Sequence, residues 1–290
     1  MRVGVIVSRS LLVLGLIAGI GACSAPARLD VANSGITFAD GPLTGKFIWH
    51  DLITEDPEAA ERFYGDLFDW SFEDTTSALG NPYILARSRG RVVAGLVPIE
   101  PPADGAKVSR WLGYLSVPDV DVAAAEVAQA GGEVVKGPLD VRLGRAAAAV
   151  DPEGAVVGLA RSAVGDPIDE PELGPGRVAW MELLARDPEA AAAFYQSLIG
   201  YDVIQIERRG GDDIILEASG RERAGILQNP AEDGPPAWLT YFAVADLDDV
   251  VARVPKLGGD VLLPPSPDLR NGSMAVVTDP SGALLALQQL

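Results

Sequence analysis

Six residues of this chain have the types and spacing to do chemistry on a small molecule: Trp49, Asp51 and Tyr114, then Trp180, Glu182 and Tyr241. Asp51 and Glu182 hold the same place in a repeated motif, Trp49-His50-Asp51-Leu52 and Trp180-Met181-Glu182-Leu183. On an extended segment, residues two apart share a face, so each carboxylate stands beside its tryptophan. A carboxylate among apolar groups is costly unless it is hydrogen-bonded or paired. Two roles remain open for Asp51 and Glu182. Each is either a fixed structural partner or a ligand-facing acceptor, and in the second case it is also the candidate catalytic base.

His50 is the only histidine and lies beside Asp51, but alternation turns it to the opposite face, and its counterpart is the apolar Met181. A structural role is expected for it. Cys23 is the only cysteine, so no intramolecular disulfide can form.

The elements that must position these residues are written twice. Trp49 to Leu52, Asp56-Pro57-Glu58-Ala59-Ala60 and Phe63-Tyr64 return 131 residues later as Trp180 to Leu183, Asp187-Pro188-Glu189-Ala190-Ala191 and Phe194-Tyr195. A second set, Trp111-Leu112-Gly113-Tyr114, Asp119, Gly131-Gly132 and Asp151-Pro152-Glu153-Gly154, returns as Trp238-Leu239-Thr240-Tyr241, Asp246, Gly258-Gly259 and Asp279-Pro280-Ser281-Gly282. The chain is a tandem duplication of one globular unit.

Within a unit, period-two alternation from Phe47 to Thr54 predicts a strand. Asp56 as N-cap and Pro57 at the first helical position predict a helix over 57–68, its apolar stripe made by Phe63, Tyr64, Leu67 and Phe68. Extended runs follow near 71–73, 83–87 and 92–98. The order repeats from Trp111: a strand to Val117, a helix from Asp119 through Ala130, and strands near 133–136, 145–150 and 155–161. Asp151-Pro152-Glu153-Gly154 is a hairpin turn with Pro at i+1 and Gly at i+3. Trp111 and Trp238 fall on the face that packs under helices, and Phe63, Tyr64, Phe194 and Tyr195 belong to the core.

Residues 1–22 carry Arg2 and Arg9 ahead of an apolar run from Leu11 to Ala22, too short to span a bilayer and suited to a secretory signal. Small residues before Cys23 resemble a bacterial lipobox, which implies acylation of Cys23 and export to the extracytoplasmic side of the cell membrane. Residues 23–44 read as the acylated cysteine and a tether. Residues 45–161 form domain 1, 162–176 an acidic linker rich in Pro and Gly, and 177–290 domain 2. The formal charge of −18 opposes phosphate backbones and anionic lipid, so nucleic acid is excluded as a partner and membrane attachment rests on Cys23. Walker loops, Cys-x-x-Cys pairs and Gly-x-Ser-x-Gly elbows are absent from the sequence, and one histidine builds no plausible triad.

The paired modules, the Phe-Tyr after an Asp-capped helix start and the Asp-Pro-x-Gly hairpin resemble the vicinal oxygen chelate superfamily, which includes glyoxalase I, bleomycin-resistance proteins and extradiol dioxygenases. The Trp-x-Asp/Glu-Leu opening and Trp-x-x-Tyr strand are similar to its tandem glyoxalase-like subgroup. The resemblance implies an α+β fold: two tandem domains, each of two βαβββ modules forming a curled, mostly antiparallel mixed sheet with helices outside the cup. In metal-using members, ligands come from the first and last strands of the modules. Carried onto this chain, those positions fall on Trp49, Leu112, Trp180 and Leu239, and on Gly158 and Ala286. None is a donor, so no metal and no cofactor is expected.

The function expected is that of a lipid-anchored exported protein whose metal-free cups bind a small apolar or aromatic molecule through Trp49, Asp51, Tyr114, Trp180, Glu182 and Tyr241. Two alternatives stand beside it: a metal-independent lyase, isomerase or hydroxylase-like enzyme with Asp51 or Glu182 as base, and a surface scaffold or antigen with filled cups. Two internal copies mimic a dimer, so a monomer is expected.

Overall fold

The computed structural model describes residues 33–290 apart from 209–210, 232–233 and 268. The expected signal segment, Cys23 and the first part of the expected tether lie outside the described residues. Among the described residues, no helix is long and apolar enough to cross a membrane.

Domain 1 runs β1 (Phe47–Thr54), α1 (Pro57–Phe68), β2 (Trp70–Thr76), β3 (Pro82–Ser88), β4 (Arg91–Pro98), β5 (Arg110–Ser116), α2 (Val120–Gln129), β6 (Glu133–Val141), β7 (Gly144–Val150) and β8 (Val156–Ser162). Domain 2 repeats it as β9 (Val178–Ala185), α3 (Pro188–Ile199), β10 (Asp202–Arg208), β11 (Gly211–Ala218), β12 (Arg221–Gln228), β13 (Ala237–Val244), α4 (Leu247–Arg253), β14 (Asp260–Leu263), β15 (Met274–Thr278) and β16 (Leu284–Gln289). The expected α+β architecture is observed. Each domain is one eight-stranded mixed sheet, in the orders β2-β3-β4-β1-β5-β8-β7-β6 and β10-β11-β12-β9-β13-β16-β15-β14. The two modules of a domain join at a central antiparallel pair, β1 with β5 and β9 with β13.

Helix α1 starts where the sequence places it. The Asp56 carboxylate accepts from the Ala59 N–H at 2.9 Å, Pro57 follows, and Phe63, Tyr64, Leu67 and Phe68 are buried. Asp187 caps α3 in the same way. Helix α4 is short because Pro255 cannot continue it, and the chain tightens into a 3-10 turn over 254–257.

The helices lie outside the cups yet inside the molecule. Helix-bearing faces of the two sheets meet, and the main cores run across them. One core joins Leu52, Tyr64, Phe68, Trp70 and Trp111 of domain 1 to Phe242, Leu247 and Leu285 of domain 2. The other joins Leu115, Val127 and Leu159 to Leu183, Tyr195 and Trp238.

Two hydrogen-bond chains related by the internal repeat cross this junction. Trp111 Nε1 donates to Tyr64 Oη at 2.9 Å, and Tyr64 Oη donates to Asp279 of the other domain at 3.2 Å. Trp238 Nε1 donates to Tyr195 Oη at 2.8 Å, and Tyr195 Oη to Asp151 at 3.1 Å. Asp151 and Asp279 belong to the Asp-Pro-x-Gly hairpins and also accept backbone N–H groups of their own turns. The turn predicted as a plain hairpin therefore also carries an interdomain link.

The linker is ordered by charge. Asp169 pairs with Lys46 at 2.9 Å and Arg223 at 2.8 Å, and Glu170 bridges Arg91 and Arg177. Residues 33–44, the described end of the expected tether, lie along it through an antiparallel bridge between Phe38 and Pro167.

Candidate functional site

The central strands place the six singled-out residues as two trios, one on the helix-free face of each sheet. In domain 1, Trp49 pairs with Tyr114 and Asp51 with Leu112 across β1–β5, and Asp51 also pairs with Gly95 of β4. Asp51 is buried and ringed by neutral donors. Trp49 Nε1 donates to its Oδ1 at 2.8 Å and Tyr83 Oη donates to the same oxygen at 2.6 Å, with the nearby Tyr114 hydroxyl also favouring the charged carboxylate. Burial pushes the Asp51 carboxyl above its ordinary range, and these three donors oppose the shift.

Domain 2 brings Trp180, Glu182 and Tyr241 together through the same pairings, Tyr241 with Trp180 and Glu182 with Gly225. Its polar partners differ. Glu182 is almost fully buried, with one carboxylate oxygen accepting from Tyr241 Oη and the other from Arg270 at 2.5 Å. The Arg270 guanidinium also lies 5.2 Å from the centre of the Tyr241 ring. Burial raises the Glu182 carboxyl from its ordinary value, and the Arg270 charge is the main opposing effect.

Four residues of these sites were not singled out in the sequence. Arg270 stands in a repeated stretch, Asp140-Val141-Arg142 returning as Asp268-Leu269-Arg270, but the repeat does not place it in the site, since in domain 1 the Arg142 guanidinium reaches Thr76 instead of Asp51. Gly95 and Gly225 face the carboxylates, and at Gly95 a β-carbon would collide with Tyr83 and Asp51. Tyr83 left no repeat signal. The ladders Leu85 with Gly95 and Ile215 with Gly225 put Asp213 at its place in domain 2.

His50 lies on the junction side, buried, with Phe47 stacked 6.4 Å away. Burial, aided by the Lys46 charge, pushes its imidazole down to about 3, so it is neutral near pH 7.

The residues present do not fit a divalent cation. Among the described residues, no three of His, Cys, Asp or Glu converge. Leu112 and Leu239 are buried hydrocarbon, and the Tyr114 ring covers Gly158 so closely that a side chain there would overlap it. What the trios can do is hold an aromatic or apolar molecule against indole and phenol rings, with one carboxylate each to orient a polar group.

Comparison with known proteins agrees with this architecture. CFP32 of Mycobacterium tuberculosis, named provisionally as a glyoxylase, is 34% identical over 244 residues, covering 82% of this chain and 92% of its own length. The anthracycline biosynthesis protein DnrV of Streptomyces peucetius is 31% identical over 255 residues, covering 83% and 92%. The Mn(II)-bound glyoxalase from Novosphingobium aromaticivorans superposes with a TM-score of 0.57 at 18% identity, covering 86% of this chain and 83% of that one, a likeness of fold alone. The family model for the Glyoxalase/Bleomycin resistance protein/Dioxygenase superfamily matches residues 46–159 and 177–287, and the chain belongs to that superfamily.

Proposed function

We propose that the protein is an exported, lipid-anchored binder of a small aromatic or apolar molecule that works without a metal ion. The observation that carries this reading is the coordination of the two carboxylates: indole, phenol and guanidinium donors hold Asp51 and Glu182 where a chelating cup would gather several anionic or imidazole donors. A relative in anthracycline biosynthesis adds support, since anthracyclines are fused-ring aromatics. The apolar run before Cys23 supports export and acylation.

Titration of the mature protein with daunorubicin, followed by quenching of tryptophan fluorescence, tests the binding. Saturable binding unchanged by EDTA is expected. A stoichiometric divalent ion in the purified protein, lost together with binding on chelation, overturns the metal-free reading. Anchoring is tested by Cys23→Ala, which should move the protein from the membrane fraction to the soluble extracytoplasmic fraction. Retention of the variant in the membrane would exclude an acyl anchor.

A second reading, a metal-independent enzyme with Glu182 as proton acceptor, draws on the raised affinity of that carboxyl for protons. It requires turnover of a bound compound, abolished by Glu182→Gln while affinity is kept. The filled-cup scaffold reading draws on Leu143 and Ile36, which pack with Trp49, Tyr83, Leu85 and Val92 in domain 1. Failure of any aromatic compound to bind would favour it.

A further inference from the structure

The two sites are not equivalent, and their difference specifies a ligand. In domain 1 the space in front of Gly95 is occupied by the Tyr83 hydroxyl, which accepts from Trp49 Nε1 at 3.0 Å and donates to Asp51 Oδ1 at 2.6 Å. That hydroxyl is a phenol oxygen supplied by the protein itself. In domain 2 the same ladder position holds Asp213, whose side chain is too short to put a phenol there. The indole N–H of Trp180 is consequently buried with no hydrogen-bond partner, whereas that of Trp49 has two. A buried N–H without an acceptor has lost its bond to water and gained none in return, so this face of domain 2 is poised to take one.

Gly225 puts no side chain beside these groups: its β-carbon position lies 3.2 Å from Trp180 Nε1 and 3.0 Å from Glu182 Oε1, so both polar atoms border the space in front of the Gly225 backbone. An oxygen seated against the Gly225 backbone would accept the Trp180 N–H and donate to the Glu182 carboxylate, the pair of bonds that the Tyr83 hydroxyl makes in domain 1. The cover changes in the same sense. Leu143, packed with the domain 1 cluster, has Asn271 at the corresponding place in domain 2.

Resting on the small-molecule reading above, we propose that domain 2 alone is the binding site and that its ligand is a phenol, whose hydroxyl oxygen accepts from Trp180 Nε1 and donates to Glu182. Domain 1 is closed by its own Tyr83, an internal mimic of that ligand. Binding is non-covalent and transfers no proton.

The test compares 1-naphthol, 1-methoxynaphthalene and naphthalene on the full chain by calorimetry. One naphthol per chain is expected, bound at least 10-fold more tightly than the methyl ether, which keeps the acceptor and loses the donor. Trp180→Phe should weaken naphthol and leave naphthalene unchanged, and Asp213→Tyr should abolish naphthol binding by rebuilding the domain 1 arrangement. Both variants must keep the melting transition of the parent; if Trp180→Phe does not fold, Asp213→Tyr decides. Equal affinity for naphthol and naphthalene, two naphthols per chain, or full binding by Asp213→Tyr would overturn the phenol assignment while leaving an aromatic binder. No binding of any of the three would overturn this assignment and count against the reading it rests on.

Discussion

Protonation of His50 is coupled to folding. Its folded value near 3 lies below the ordinary 6.5, so the unfolded chain binds the extra proton. Stability from a neutral buried imidazole is fully present above about pH 6.5 and is lost as pH falls toward 3. The raised carboxyls of Asp51, Glu182, Asp151 and Asp279 act with the opposite sign, since the folded state binds their protons more tightly. A difference measurement isolates the histidine. Relative to the wild type, His50→Met should gain stability as pH drops from 6.5 to 4, by roughly 1.4 kcal/mol per pH unit well below 6.5. Urea denaturation at each pH measures it, and parallel curves for the two proteins would show that His50 titrates normally. Of the site residues, Trp49, Asp51, Tyr114, Trp180, Glu182 and Tyr241 were legible because strand alternation and the repeat fix their faces. Tyr83 was not, because its hydroxyl meets Asp51, 32 residues away in the chain, only where β4 lies alongside β1, and that pairing is not written in local spacing.

Elements are joined by the tyrosines of α1 and α3. Each hydroxyl takes an indole N–H from its own domain and gives its proton to an aspartate of the other. Tyr64→Phe would leave the Trp111 N–H buried without an acceptor and remove a donor from Asp279, a loss of about 1–3 kcal/mol. Tyr195→Phe should cost a similar amount through Trp238 and Asp151. The two chains share no residue, so the losses should add in the double variant, as read by thermal or urea unfolding. An unchanged melting temperature for either single variant would show that water replaces the hydroxyl. The burial of Tyr64 and Tyr195 was evident from helical periodicity. Their partners across the domain junction were not, since the aspartates lie 215 and 44 residues away and read locally as turn residues.

For the whole molecule, the junction decides which faces are available. Packing of helix-bearing faces leaves the two carboxylate faces directed away from each other. Phe68, Trp70, Trp111 and Phe242 form one aromatic cluster with centroid separations of 5.0–6.3 Å, drawn from both domains. Gly45 of domain 1 and Gly176 of the linker take left-handed backbones pressed against Tyr201 of domain 2 and Trp70 of domain 1. Exposure of such an apolar area favours association. Residues 33–170 and 171–290 expressed separately should aggregate, and expressed together they should purify as a one-to-one complex by size exclusion. Two soluble monomeric halves would contradict the shared core.

Sequence by itself determined the duplication, the module order, the helix caps and the faces of the central strands, because these follow from local periodicity and from side chains that act within a few residues of their own backbone. The family resemblance added what local patterns could not: carried onto this chain, the ligand positions of metal-using members fall on tryptophan, leucine, glycine and alanine. Tertiary structure alone decided that Tyr83 closes one site, that Arg270 enters the other, and that the Trp180 N–H is left without an acceptor. Those outcomes depend on which distant strand lies alongside β4 or β12, and hydrogen bonds are made or missed there by the reach of a single side chain.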